Sequence, residues 1–93
     1  LTEHTNIHWH GLILPEKMDG HPDDLAMPGG MYQYQLPLQQ RAGTYWYHPH
    51  PHPHEATARQ VFMGMAGMFL LRDAEEDALQ LPSGEWEVPL VIQ

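Results

Sequence analysis

Proline and glycine recur so often in this chain, nine and eight times in 93 residues, that no regular element can run far before it is broken. The sharpest case is Pro49, Pro51 and Pro53. Alternate amide donors are missing there, so the stretch cannot sit inside a sheet ladder, and Pro49 to Glu55 is expected as an extended loop. Between the breakers lie short alternating runs. Thr5 to Leu14 (TNIHWHGLIL) is predicted as a strand with Asn6, His8, His10, Leu12 and Leu14 on one face, ended by Pro15. Asp19-Gly20 and the polar residues to Asp24 are expected as turn and loop, and Pro28-Gly29-Gly30 as a further turn. Met31 to Leu38 is predicted as a second strand and the aromatic run Thr44 to His48 (TYWYH) as a third. Gln60 to Leu71 is apolar on both faces, as a buried strand would be. Asp73 to Leu81 is expected as a short helix and Trp86 to Ile92 as a last strand. Short strands at close spacing divided by Gly and Pro turns indicate an all-β sandwich or barrel.

The length suffices for one compact domain with a modest core. The chain starts at Leu1 and stops within the apolar run Pro89 to Ile92, so a larger protein is expected around it. A net charge of −8 with four Lys and Arg argues against nucleic acid or an anionic membrane as partner, since both need clustered cations. No stretch approaches the roughly 20 apolar residues of a membrane span. Cysteine is absent, which excludes disulfides, thiolate metal sites and cysteine nucleophiles in these residues.

Histidine is the compositional outlier. Six of the eight fall in two clusters, His8-Trp9-His10 and His48-Pro49-His50-Pro51-His52-Pro53-His54. On a strand, residues i and i+2 point to one side about 7 Å apart, which suits one imidazole to each of two neighbouring metals. Two such pairs facing each other would bring His8, His10, His48 and His50 to one pocket. Imidazole suits copper, zinc, iron and nickel, and no carboxylate lies within either pair. His4 and His21 are expected as surface or hydrogen-bonding residues. For His52 and His54 a loose metal-binding tract and a specific role both stay open. Met63, Met65 and Met68 are expected as flexible core fillers rather than thioether ligands.

Thr5-Asn6-Ile7-His8-Trp9-His10-Gly11-Leu12 resembles the first copper motif of multicopper oxidases, and Gly43-Thr44-Tyr45-Trp46-Tyr47-His48-Pro49-His50 resembles the second. Gln60 to Gly67 resembles the Gln-Val strand that follows in bacterial members. Asp19-Gly20 is similar to the acidic turn between the motifs. Leu81-Pro82 to Gln93 is similar to the end of the first domain in the cuprous-oxidase and spore-coat laccase branches. The resemblance implies an all-β, cupredoxin-like Greek-key β-sandwich, with residues 1–93 as part of the N-terminal cupredoxin domain of a larger laccase-like oxidase. It implies that His8 binds the type 2 copper, that His10, His48 and His50 bind the type 3 pair, and that Asp19 handles protons beside them. Gly64 and Gly67 would let backbone pack closely.

The implied reaction is four-electron reduction of dioxygen to water, coupled to oxidation of a phenolic or metal-ion substrate. Electrons would enter at a type 1 copper elsewhere in the protein. A C-terminal cupredoxin domain would supply the remaining cluster histidines, so the isolated chain is expected to be inactive. A periplasmic or extracellular location is implied by the resemblance alone. The Pro-His run carries two more residues than the family pattern. Anchored on the preceding strand the ligands are His48 and His50; anchored on the following strand they are His50 and His52. The first is preferred because Trp46-Tyr47-His48 continues an ordered strand. Three other readings stand beside this one: a copper-storage module without oxidase activity, a single-metal cupin, and a relative that keeps the fold but has lost copper, against which the two complete His-x-His pairs speak. The cupin fits poorly, because Glu16 follows His10 too late and Pro15 intervenes.

Overall fold

A computed structural model describes residues 1–93. Three strands, β1 (His8–His10), β2 (Gly43–His48) and β3 (Gly67–Leu71), form one antiparallel sheet in the order β1-β2-β3. Helix α1 (His54–Phe62) joins β2 to β3, and helix α2 (Ala74–Ala78) follows β3. Single 3-10 turns lie at Glu16–Met18 and Gly84–Trp86. No helix is long and apolar enough to cross a membrane.

The central strand β2 is where the sequence pattern is strongest. Its consecutive aromatics pair with β3, Tyr45 opposite Phe69 and Trp46 opposite Met68. Its C-terminal half pairs with β1, His8 opposite His48 and Trp9 opposite Tyr47. One sheet face therefore carries Trp9, Tyr45, Tyr47 and Phe69, and the other carries His8, His10, Trp46 and His48. On the first face Trp9 is the hub, its ring 5.6 Å from Tyr47, 5.7 Å from Phe69 and 5.8 Å from Tyr34. Tyr47 lies so flat across β3 that a Cβ on Gly67 would sit 2.4 Å from its hydroxyl, as expected of a close backbone approach. Gly64 differs from that expectation. A Cβ there would meet nothing nearer than 3.9 Å, and the residue serves a φ of +94° after α1.

Several expected elements are shorter or of another kind. The Thr5–Leu14 strand shrinks to His8–His10, because the chain turns at Gly11 and Leu12 N–H bonds back to Trp9. Thr5 makes only an isolated bridge to Ala26. Met31–Leu38 forms no strand. Side chains, not a ladder, hold it: Tyr32 donates to the Lys17 carbonyl at 2.6 Å, and the Tyr34 hydroxyl accepts from Ile7 N–H at 2.7 Å. Trp86–Ile92 is likewise not a strand. Pro89 removes a donor there, and the tail lies on the surface, with Ile92 98% exposed.

Gln60–Leu71 divides into the end of α1, a turn and β3. A short apolar run has no period to separate helix from strand, and the good helix formers before it extend the helix into it. The loop expected to Glu55 ends at Pro53, which precedes the first helical residue. Met63 caps α1 and is 66% exposed, so it is no core filler; Met65 and Met68 are half-buried. The Asp73–Leu81 helix forms over Ala74–Ala78, capped by Asp73, whose carboxylate accepts from Glu76 N–H at 2.8 Å.

The centre of the molecule is polar. Gln60 (1% exposed), Asn6 (2%), Pro49 and Pro51 are its most deeply buried side chains, and Leu12 and Ala56 are the only buried aliphatic ones. Gln60 and Ala56, one turn apart, form the inward face of α1. Gln60 accepts from the Thr5 hydroxyl at 2.7 Å and donates to the His4 carbonyl at 3.0 Å. These bonds tie α1 to the segment leading into β1.

Candidate metal centre

The register that places His8 opposite His48 also builds the site. Cross-strand partners have Cβ atoms about 5 Å apart on one face, and His10 follows His8 onto that face. One ring nitrogen from each of His8, His10 and His48 lies within 4.8 Å of the others. Ring centroids are 5.4 Å apart for His8–His10, 5.3 Å for His8–His48 and 5.5 Å for His10–His48. His50 stands at the edge, 5.7 Å from His8 and 6.2 Å from His48. His52 and His54 lie further out, and Glu16 lies in its 3-10 turn, outside this group.

The hydrogen bonds set which nitrogens are free. His8 Nδ1 donates to the Asp19 carbonyl at 2.7 Å, and His48 Nδ1 donates to the Pro49 carbonyl at 2.8 Å. A carbonyl only accepts, so in the neutral rings both Nε2 atoms are unprotonated; that of His8 is free, and that of His48 accepts from His10. His10 Nδ1 lies 3.3 Å from His48 Nε2. A metal about 2.0–2.1 Å from an imidazole nitrogen lies roughly 3.2 Å from the ring centre, so two rings can share an ion up to roughly 6.4 Å apart. Every pair in the group meets that limit. An all-imidazole donor set, with one nitrogen of His8 and one of His48 tied to carbonyls, fits copper.

Electrostatics favour the neutral rings. Burial is the main cause that pushes His48 and His50 below the usual 6.5. The neighbouring imidazoles add to the effect in both, while the bond to Pro49 opposes it in His48. Asp19 reaches His8 from the turn before it. One carboxylate oxygen is shielded 3.4 Å from His8 Nδ1, while the side chain as a whole remains 42% exposed. Gly20 makes that turn possible, since its φ is +73° and a Cβ would lie 2.1 Å from the Ile7 carbonyl oxygen.

Two residues at the site were not singled out from the sequence. Asn6 donates to the carbonyls of Gly20 (3.0 Å), His21 (2.9 Å) and His50 (3.3 Å), and its Oδ1 accepts from His50 N–H at 2.7 Å. It clamps the Asp19 turn and the His50 loop to the start of β1. Its place on the histidine face of the expected strand was the available signal. Trp46 lies against two of the three rings, stacked on His10 at 4.7 Å and 24° and tilted against His48 at 4.4 Å and 30°. His4, expected to be a hydrogen-bonding residue, bonds through Nε2 to the His52 carbonyl at 3.0 Å.

Comparison with known proteins gives this geometry its context. The family model described as multicopper oxidase matches residues 1–76. The chain is 38% identical to a bilirubin oxidase of Albifimbria verrucaria, over 94% of its own length and 15% of the relative's. It is 38% identical to a multicopper oxidase of Staphylococcus aureus, over 100% of its own length and 20% of the relative's. A crystal structure of laccase from Pediococcus acidilactici superposes with a TM-score of 0.82 at 40% identity, over 92% of this chain and 18% of that one. The chain thus spans a fifth or less of the curated relatives' length. The structural likeness gives the fold class expected from the sequence, all-β and cupredoxin-like. The motif matches, the imidazole group and these likenesses lead to one family: the chain belongs to the multicopper oxidases.

Proposed function

We propose that residues 1–93 are part of the N-terminal cupredoxin domain of a laccase-like oxidase and supply His8, His10, His48 and His50 to its type 2 and type 3 coppers. The observation that carries this reading is the convergence of His8, His10 and His48 within 4.8 Å on one face of a rigid strand pair. Bound copper would supply the four electrons that take dioxygen to water, drawn from a phenolic or metal-ion substrate through a type 1 copper elsewhere in the protein. A C-terminal cupredoxin domain would complete the ligand set, and the protein would work in the periplasm or outside the cell.

The residues of this chain would have distinct tasks. His8 and His48 present Nε2 lone pairs because their Nδ1 protons are held by carbonyls. Trp46 covers the inner rings and fixes their tilt. Asp19, with a carboxylate oxygen 3.4 Å from His8 Nδ1, would be the residue that handles protons beside the cluster.

The test is copper analysis and electron paramagnetic resonance on the protein as its own gene encodes it, beside H8A/H10A. About four coppers per chain, with the type 2 signal lost in the variant, is the expected result. A single metal, or copper indifferent to the substitutions, would overturn the reading in favour of a cupin or a copper-storage module.

A further inference from the structure

The Pro-His run carries imidazoles that the inner group does not use. His52 and His54 are both exposed, outward of His50. Ring centroids step from His8 to His50 at 5.7 Å, from His50 to His54 at 5.8 Å and from His54 to His52 at 5.6 Å. An unbroken file of imidazoles thus runs from the candidate metal centre to the surface.

The backbone under that file is fixed. Asn6 holds both the N–H and the carbonyl of His50. The Thr57 hydroxyl donates to the Pro51 carbonyl at 3.3 Å, and His4 reaches the His52 carbonyl at 3.0 Å. Pro49 and Pro51 are buried, and each proline restricts its own φ. A solvated low-complexity tract would have none of these anchors. Here the backbone that carries the rings is held in place, which lowers the ordering cost of binding an ion between them.

The distances permit such an ion. The limit of roughly 6.4 Å for two imidazoles sharing a metal admits both the His52–His54 and the His50–His54 pairs. Two neutral imidazoles with no carboxylate between them suit monovalent copper, which accepts near-linear coordination by two nitrogens. A net charge of −8 draws cations toward the surface.

We infer that His52 and His54 form a second, reversible copper site, which captures Cu(I) from solution and passes it by ligand exchange through His50 to the inner group. The transfer needs no oxidant or reductant: the ion gains one imidazole nitrogen as it leaves another. The inference rests on the copper-cluster reading for its destination, and the exposed site is measurable independently of it.

The experiment uses the metal-free protein as its own gene encodes it and the variant H52Q/H54Q, both supplied with Cu(I) from a chelator buffer. Uptake is followed optically, tightly held copper is counted after desalting, and total bound copper is counted by equilibrium dialysis. The expected result is uptake about ten-fold slower in the variant, from loss of local copper concentration at the entrance. Tightly held copper should be equal in the two, and dialysis should find one weakly held ion fewer in the variant. Equal uptake rates and equal dialysis counts would overturn the inference. If neither protein holds tight copper, the cluster reading fails, and the dialysis difference still decides whether His52 and His54 bind the ion.

Discussion

Asn6 shows how much one side chain can hold together. Its amide makes four hydrogen bonds from a position 2% exposed, to partners 14, 15 and 44 residues away. Removing it leaves the part-buried His50 N–H and several carbonyls without partners. Asn6→Ala should therefore lower stability by about 2–3 kcal/mol, read as a lower urea midpoint at unchanged slope. An unmoved midpoint would remove Asn6 from this role. The histidine pairs were legible in the sequence because their spacing is local: i and i+2 share a face wherever a strand forms. The part played by Asn6 was not, because it depends on a loop 44 residues away. Trp46 was visible as an aromatic in a strand, but its stacking on His10 depends on the β1–β2 register, which no local pattern supplies.

At the scale of elements, the sheet is fixed where β2 meets β3. Tyr47 crosses Gly67 with no room for a side chain, and Gly67→Ala would force the ring or the strand to move. A loss of about 1–3 kcal/mol is expected, with near-ultraviolet circular dichroism reporting the displaced tyrosine. A spectrum and midpoint like the parent's would mean that the ring relaxes freely. This strand was read almost to its ends, Thr44–His48 against Gly43–His48, because a run of aromatics beside a β-branched threonine favours a strand. The short helix expected over Asp73–Leu81 forms over Ala74–Ala78. Met31–Leu38 misled because alternation was present while the backbone found its partners in side chains. Gln60–Leu71 misled because its apolar run has no period, and the helix that enters it is set by residues upstream.

For the molecule as a whole, the buried imidazoles link folding to acidity. His48 and His50 titrate below 6.5 in the folded chain, chiefly through burial. Between those lowered values and 6.5 the unfolded chain binds more protons than the folded one. Their contribution to stability is therefore complete above about pH 6.5 and is lost as pH falls through the folded values. Denaturation midpoints should be flat near neutrality and drop below about pH 6.5, and His50→Gln should flatten that drop. Midpoints independent of pH from about 7 to 5 would contradict it. Copper retention should weaken over the same range, because protons and metal compete for the same lone pairs.

A centre built from Gln60, Asn6 and two prolines, rather than from aliphatic side chains, has a calorimetric consequence. Hydration of newly exposed hydrocarbon is what gives unfolding its large positive heat capacity, and exposed amides subtract from it. Considered by itself, this stretch of chain would therefore unfold with a small heat-capacity increment. Its stability would vary little with temperature near its maximum, and it would melt broadly.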